Sequence, residues 1–219
     1  MANGFSDWIE WLPSLLQGLR LSLEVAGLSL LIGVPLGLIL ALGVQAKFAP
    51  TRAVALTLVE IGRGAPSLIL LQFTYYGLPS AGLTMSSFYS AVFALTWTTC
   101  AYTSEIIRGG LEAVPKGQKE AAAAMGMSKI DSLRFVILPQ GLVVAIPALV
   151  GFSILILQAT SLCFAITLPE MLSNAYLIGS NTFRYLSALM LAGLLYAAIC
   201  IPASLIVGVL ERRFSAHTQ

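Results

Sequence analysis

Long stretches without a charged residue are the feature that most constrains how this chain can fold. They cover residues 25–46, 64–104, 140–169 and 185–210. A helix needs about 20 mostly apolar residues to cross the hydrocarbon core of a membrane, so each stretch is long enough to span it. The stretch at 64–104 is long enough for two spans, and the turn residues Gly77, Pro79 and Gly82 mark a break within it. A soluble core helix does not account for four runs of this length.

The sequence therefore predicts an all-α membrane protein with five transmembrane helices. We expect them near 18–44, 53–78, 86–110, 140–167 and 185–210. The composition agrees, since hydrophobic residues make up 58% and charged residues 10% of the chain, against about 25% charged in a soluble domain.

Basic residues predict the orientation, because Lys and Arg are enriched in short cytoplasmic loops. Five spans place the two termini on opposite sides. Nine of the 12 basic residues fall at 47–52, 108–134 and 212–213, which we assign to the cytoplasmic side. Arg20 and Arg184 lie on the other side, and Arg63 lies in or near the second span. The N-terminus is thus expected outside and the C-terminus inside.

The same pattern divides the chain into three parts. We expect an external interfacial segment at 1–16, where Trp8 and Trp11 suit a membrane surface. The transmembrane domain is expected at 17–212 and includes a cytoplasmic loop at 112–139. A cytoplasmic tail is expected at 213–219.

Several kinds of chemistry find no support in the sequence. The three cysteines are isolated within predicted helices, and the single histidine, His217, lies in the polar tail, so neither a disulfide nor a metal site is expected. No nucleophile is paired with a base inside the spans, which argues against an intramembrane enzyme or catalytic residues. The Gly-x-x-x-x-Gly-Lys-[Ser/Thr] phosphate-binding loop is also missing, so we expect no nucleotide cofactor on this chain.

A charged, alanine-rich segment follows the third predicted span. It reads Glu-Ala-Ala, three residues, Gly, nine residues, a β-branched residue, and then x-Leu-Pro, ending at Pro139. This order resembles the cytoplasmic loop of ABC importer permeases. The resemblance implies docking onto a separate ATPase that binds ATP and Mg²⁺; an ordinary cytoplasmic connector is the alternative. The docking residues implied are Pro115, Gly117, Glu120, Ala121, Ala122 and Gly126. A helix ending at Gly126, with that glycine in the left-handed conformation, is expected.

Four further stretches resemble the branch of that family that transports polar amino acids and opines. Residues 60–66 are similar to its Glu-x-x-Arg-Gly-Thr-Pro, with Ala65 in place of Thr, and 101–110 to its Ala-Tyr-x-x-Glu-x-x-Arg-Gly-Gly. Residues 160–162 and 210–213 match as well. The resemblance runs over nearly the whole chain. It implies a type I ABC importer fold and a multi-pass permease in a bacterial inner membrane.

The resemblance also implies partners. One chain would form half of the translocation path, so a second permease chain is expected, either another copy or a related protein. ATPase subunits would bind inside, and a periplasmic or extracellular substrate-binding protein would deliver the amino acid outside. The sequence departs from the family where Gln158 and Ala159 replace a common Lys-Asp pair and Thr98 replaces Asn. This chain can therefore also be read as a heterodimer partner that never contacts substrate.

The substrate residues are predicted at a break and on two helices. Pro66 is favoured at a first helical position, and a helix starting inside a membrane protein directs N–H groups at a bound carboxylate. We therefore assign an α-carboxylate site to Gly64, Ala65, Pro66 and Ser67, with a plain kink as the alternative. The remaining substrate candidates are Thr98, Tyr102, Gln158, Thr160 and Ser161, with helix packing as the alternative.

Four charged residues near the predicted spans are interpreted as structural. Arg63 can attract the carboxylate or brace the helices by pairing with Glu60 or Glu105. Glu105 and Arg108 lie three residues apart on one helix face, which is typical of an intrahelical ion pair.

The functional alternative is an ion-coupled secondary transporter or channel that works without an ATPase. Such a carrier would have no use for a docking segment. The sequence does not identify the amino acid carried or decide between a homodimer and a heterodimer.

Overall fold

The computed structural model describes residues 4–215, with the side chains of 7–212. His217 and the end of the predicted tail lie outside the described residues. Within them the chain is helical and has no strand. The helices are α1 (Gly4–Val44), α2 (Ala49–Gly64), α3 (Ser67–Gln72), α4 (Ser87–Ala113), α5 (Lys116–Ala124), α6 (Lys129–Asp131), α7 (Leu138–Ala159), α8 (Met171–Thr182) and α9 (Tyr185–Ser215).

Wider and tighter helical turns extend several of these helices. The π-helical turn Phe73–Gly77 and the 3₁₀ turn Leu78–Ala81 continue α3, and the π-helical turn Ser132–Ile137 leads into α7. The 3₁₀ segment Thr160–Ile166 continues α7. The predicted break between the second and third spans is confirmed, because Gly82 adopts the left-handed conformation with φ 82° and ends the 3₁₀ turn there.

The helices that could cross a membrane agree with most of the predicted spans. Within the described part, three are long and apolar enough, over Asp7–Val44, Lys129–Ile166 and Tyr185–Arg212. Ala49–Gly64 and Ser67–Ala81 add a fourth if they count as one span bent by 103°. Helix α4 has 27 residues, which is long enough, but it is not apolar enough to be counted with them. The count of five and the orientation therefore stay predictions.

Helix α4 lies at the centre of the molecule because α1, α2 and α7 all pack against it. Its contact with α1 is the most extensive in the fold. Gly33 and Gly37 of α1 face it, and a Cβ atom on Gly37 would lie 2.1 Å from Thr103 Oγ1. On the other side, a Cβ on Gly110 would lie 2.4 Å from the carbonyl oxygen of Gly141 on α7. Small residues four apart let membrane helices approach this closely.

Several buried hydroxyl groups of α4 bond to the backbone of the same helix. Thr99 Oγ1 donates to the Leu95 carbonyl oxygen at 2.6 Å, and Thr103 Oγ1 donates to that of Thr99 at 2.7 Å. Both residues are completely buried. Hydroxyls that bond back to the preceding turn need no water, so α4 can carry many Thr and Ser residues inside the bundle.

The two ends of the bundle differ in charge. At one end, Asp7 forms an ion pair with Arg184, and Trp8 Nε1 donates to Ser187 Oγ at 2.9 Å. At the other end, the side chain of Lys47 lies beside that of Lys129. The loop after α1 is thus grouped with the loop after α5, as the predicted cytoplasmic side requires.

The beginning of the described side chains, around Trp11, packs against other helices. Trp11 is only 8% exposed because it packs in an apolar cluster with Met171 and Leu191, and its expected place at the membrane surface stays a prediction. It is covered because 171–182 forms α8, a helix that the hydrophobic pattern did not predict. Helix α1 runs without a break from Gly4 to Val44, so the backbone does not mark the predicted boundary after residue 16.

Candidate functional site

The predicted carboxylate site lies at a sharp bend between two helices. Ala65 ends α2 in an extended conformation with φ −82° and ψ 130°, and Pro66 follows with φ −57° and ψ 132°. The next helix begins at Ser67, one residue later than predicted, because Pro66 keeps a non-helical ψ and occupies the N-cap position. Ser67 therefore lies inside the first turn and does not serve as its cap. Gly64 is exposed at the end of α2, with open space where a Cβ would stand.

Tyr102 connects this bend to two other helices. Its hydroxyl donates to the Arg63 carbonyl oxygen at 3.4 Å, and its ring stacks on Phe152 of α7 with centroids 5.4 Å apart. The Arg63 guanidinium carbon lies 6.0 Å from the centre of the same ring. Tyr102 thus contacts both the bend and α7, and Phe152 is a contact that the sequence did not indicate.

Thr98 differs from the other buried threonines of α4. It is 5% exposed, and its Oγ1 has no hydrogen-bond partner among the described residues. It lies one helical turn before Tyr102, on the same helix face. A buried hydroxyl without a partner costs about 1–3 kcal/mol. Thr98 is therefore suited to donate to, or accept from, a ligand that enters this face.

The predicted substrate residues at the end of α7 are bonded locally. Thr160 Oγ1 donates to the Leu157 carbonyl oxygen at 2.7 Å, and Ser161 Oγ donates to that of Gln158 at 2.8 Å. Thr160 is completely buried, whereas the Gln158 side chain is exposed. No hydrogen bond within the described part of the chain joins Ser67 to any of the three.

The elements that carry the two sets of substrate residues are nevertheless in contact. The 3₁₀ segment Thr160–Ile166 packs on α3, where Leu70 and Leu71 share a core cluster with Cys163 and Ile166. Helix α4 packs against α3 as well. The structure therefore brings the bend, the Thr98 face and the end of α7 into one region, although their polar side chains do not bond to each other.

Ion pairs run from the bend along α4. Arg63 Nη1 lies 3.4 Å from Glu105 Oε2, which confirms the bracing interaction, while the alternative partner Glu60 is exposed and forms no ion pair within 7–212. The intrahelical pair is confirmed too, with Arg108 Nη2 2.9 Å from Glu105 Oε2. Arg108 also pairs with Glu112 at 2.7 Å, a contact that the sequence signals by its spacing of four residues.

The predicted docking helix is α5, which begins after Pro115 at the N-cap. Ala122 is 3% exposed and faces the π-helical turn Ser132–Ile137. Gly126 has φ 75°, and the N–H groups of Gly126 and Met127 donate to the carbonyl oxygens of Ala123 and Ala122 at 3.0 and 3.1 Å. These two bonds form a Schellman motif, so the predicted cap is confirmed. The other assigned docking residues, Gly117, Glu120 and Ala121, are exposed.

Large apolar side chains surround α5 without being buried. Met125 is 82% exposed, Ile130 75% and Phe135 61%. These three side chains were not predicted from the sequence, although apolar residues within a charged loop are a visible signal. Exposed apolar residues grouped in this way are typical of a protein-interaction surface.

A groove with a volume of about 940 Å³ lies elsewhere, between α1, α2 and α4. Its walls are almost entirely apolar and include Ile32, Leu36, Phe93 and Trp97. None of the predicted substrate residues lines it. Because it offers no charged side chain, this groove does not suit an amino-acid carboxylate and ammonium group, and we do not place the substrate there.

One buried acidic residue, Glu170, was not predicted from the sequence. Glu170 is completely buried beside the 3₁₀ segment that carries Thr160. It is the only Asp or Glu between Asp131 and Glu211. That isolation within an apolar region was the signal available.

The chain is similar to known proteins over nearly its whole length. Residues 33–216 match the family described as binding-protein-dependent transport system inner membrane component. The arginine transport system permease protein ArtQ of Bacillus subtilis is 34% identical over 214 residues, which cover 97% of this chain and 98% of that protein. The probable amino-acid ABC transporter permease protein YckA of the same organism is 33% identical over 209 residues, or 95% and 92%. A solved structure described as an amino acid ABC transporter with histidines superposes with a TM-score of 0.91 at 32% identity, covering 97% of this chain and 100% of that one.

Proposed function

Because the chain belongs to the family of binding-protein-dependent transport system inner membrane components, we propose that it forms half of the path of an ATP-driven importer for a polar amino acid. A member of this family is a multi-pass inner-membrane transport subunit, and the ATPase is a separate subunit. The family therefore favours this function over an ion-coupled carrier that works alone. Both relatives described above are named as permeases, one for arginine and one for an amino acid.

We propose that α5 is the docking element for the ATPase. Its one buried residue, Ala122, rests on the turn before α7, so a force on α5 would be transmitted to that span. The exposed Glu120 and the surrounding apolar side chains of Met125, Ile130 and Phe135 offer a mixed surface to a partner. This exposed surface at a capped helix is the observation that carries the proposal.

Co-purification tests the docking proposal. The permease would be expressed with its candidate ATPase as wild type, as Glu120→Arg, and as Glu10→Arg, a control that reverses an exposed charge on α1. We expect Glu120→Arg to lose most of the bound ATPase, since it reverses the charge that this surface presents to the partner. The control should retain the ATPase. If Glu120→Arg retains the ATPase at wild-type amounts, and the double variant with Gly126→Asp retains it as well, the proposed surface is wrong.

We propose that the substrate lies against the bend and the Thr98 face of α4. The assigned residues are Gly64, Ala65, Pro66, Ser67, Thr98, Tyr102, Gln158, Thr160 and Ser161. The unpaired hydroxyl of Thr98 supports this placement most directly, because the described part of the chain supplies it with no partner.

Replacing one hydroxyl at a time tests the site. Thr98→Val and Thr99→Val are matched changes at adjacent buried positions, but only Thr99 bonds to its own helix. We expect Thr98→Val to raise the KM for amino-acid uptake about three- to tenfold, as loss of one hydrogen bond to substrate would. Thr99→Val should leave the KM unchanged. An unchanged KM in both variants would show that the Thr98 face serves helix packing and does not bind substrate.

We further propose that a second permease chain completes the path. Competition for uptake by arginine, glutamine, glutamate and a neutral apolar amino acid would identify the side-chain class carried. Expression of this chain as the only permease, together with the ATPase and the substrate-binding protein, separates the two dimers. Uptake by that complex indicates a homodimer, and uptake only after a related permease is added indicates a heterodimer.

A further inference from the structure

Glu170 is the only acidic or basic residue in 7–212 that is fully shielded from solvent. It lies in the short connection between the 3₁₀ segment Thr160–Ile166 and α8. An ionisable side chain inside a membrane domain is costly unless it is bonded, and such residues mark functional positions. Its bonding partners therefore show what it holds in place.

The carboxylate caps the first turn of α8. Glu170 Oε1 accepts from the Ser173 N–H at 2.7 Å, and Oε2 accepts from the Leu172 N–H at 2.8 Å. Ser173 Oγ lies 2.5 Å from the Leu168 carbonyl oxygen and 3.1 Å from Oε1, and its single proton belongs to the shorter contact. Negative charge at a helix N-terminus is favourable, so the backbone supplies most of the stabilisation.

Helix α1 fixes the position of this turn. A Cβ atom on Gly18 would lie 2.7 Å from Met171 Cα and 2.8 Å from the Glu170 carbonyl carbon. Asn174 Nδ2 donates to the Ser14 carbonyl oxygen at 2.8 Å. Because the backbones of α1 and α8 touch here, the carboxylate has little freedom to move.

Tyr196 of α9 extends the contact beyond α8. Its hydroxyl donates to Glu170 Oε2 at 3.5 Å, and it also faces the hydroxyls of Thr160 and Ser22. Both of those residues are completely buried. Thr160 begins the 3₁₀ segment that packs on α3, so Glu170 reaches the proposed substrate region through a single side chain.

We propose that Glu170 is a positioning residue for the substrate path, which it acts on through Tyr196. The carboxylate orients the Tyr196 hydroxyl, and Tyr196 lies against Thr160, the first residue of the segment. Cys163 and Ile166 of the same segment pack on Leu70 and Leu71 of α3, so the segment with Ser161 keeps its place. The inference rests on the proposed function, because it assigns Thr160 and Ser161 to the path.

Cysteine labelling tests the positioning role without transport. Cys163 lies on the positioned segment, while Cys100 and Cys200 lie in α4 and α9, and all three are free and buried. In the assembled importer, maleimide labelling of each cysteine would be followed by mass spectrometry for the wild type, Glu170→Gln, Tyr196→Phe and the control Tyr89→Phe. We expect Cys163 alone to react about tenfold faster in Glu170→Gln and Tyr196→Phe. Tyr196→Phe is the decisive variant, because loss of the Glu170 charge also acts directly on the Cys163 thiol. Unchanged labelling of Cys163, or equal acceleration at all three cysteines, overturns the inference.

Uptake kinetics then connect the segment to substrate. Tyr196→Phe should raise the KM for amino-acid uptake about three- to tenfold, with kcat and ATPase co-purification unchanged, and Tyr89→Phe should match the wild type. A wild-type KM in Tyr196→Phe contradicts the positioning role. Failure of the proposed function is a different result, since the wild type itself would then import no amino acid while the labelling contrast could still hold.

Discussion

The interior around α4 and the region around α5 are stabilised in opposite ways. In the interior, glycines allow backbones to touch, as where a Cβ on Gly110 would stand 2.4 Å from the Gly141 carbonyl oxygen. Around α5 only Ala122 is buried, and the cap at Gly126 fixes the end of the helix. The interior depends on partners distant in sequence, whereas the proposed docking region depends on its immediate neighbours in the chain.

This difference separates two tasks of a transport subunit. A membrane domain that changes shape as a unit needs a rigid centre, and close helix packing without space for a methyl group provides it. A docking element needs an exposed surface with a defined shape, and a locally capped helix provides that at little burial. Stability and partner binding should therefore respond to different substitutions.

The largest effect is expected in the interior. Gly110→Ala places a methyl group against the Gly141 carbonyl oxygen, and overpacking of this kind costs about 1–3 kcal/mol. Gly109→Ala is the matched control on the same helix, because its Cβ would meet nothing within 4 Å. Thermal unfolding of the purified permease should show a clear loss of stability for Gly110→Ala only. Equal stabilities of the two variants would show that α4 and α7 are not closely packed.

A smaller and more local effect is expected at the docking helix. Gly126→Ala forces a side chain into a left-handed conformation, which costs about 1–2 kcal/mol. The cost falls on the end of α5, so ATP-driven uptake and ATPase binding should weaken while the melting temperature of the membrane domain stays close to wild type. Gly109→Ala, at an exposed helical position outside the docking helix with open space around it, is the control here too and should retain full coupling.

If Gly126→Ala instead lowers the unfolding temperature as much as Gly110→Ala does, the two regions unfold as one cooperative unit. The proposed independence of the docking helix would then be wrong.

The contrast also explains what the sequence could predict. The cap at Gly126 and the pair of Glu105 and Arg108 were predictable because each depends on residues within a few positions. The break at Pro66 was predictable for the same reason, to within one residue. The family and its function followed from motifs of this local kind.

Contacts between distant segments were not predictable in this way. Trp11 is buried because α8 covers it, and neither the helix nor the contact follows from the local pattern. Phe152 under Tyr102 and the bond from Tyr196 to Glu170 depend on tertiary packing as well. A single sequence gives periodicity and caps, but it does not specify which helix faces meet.

The smallest effect is expected where the two regions meet, at the ion pair between Arg63 and Glu105. It joins α2 to α4. On α4, Glu105 also pairs with Arg108, and Arg108 pairs with Glu112, which lies three residues before Pro115. The Arg63 side chain is 38% exposed, so solvent screening limits the loss in Arg63→Gln to about 1 kcal/mol or less. Arg20→Gln removes a more exposed pair within one helix and should change almost nothing. Unfolding measured at low and high salt separates the cases, because the deficit of Arg63→Gln should shrink as salt screens the pair. A deficit that is unaffected by salt would mean that Arg63 acts by packing on Tyr102, and the charges would then not link the interior to the docking helix.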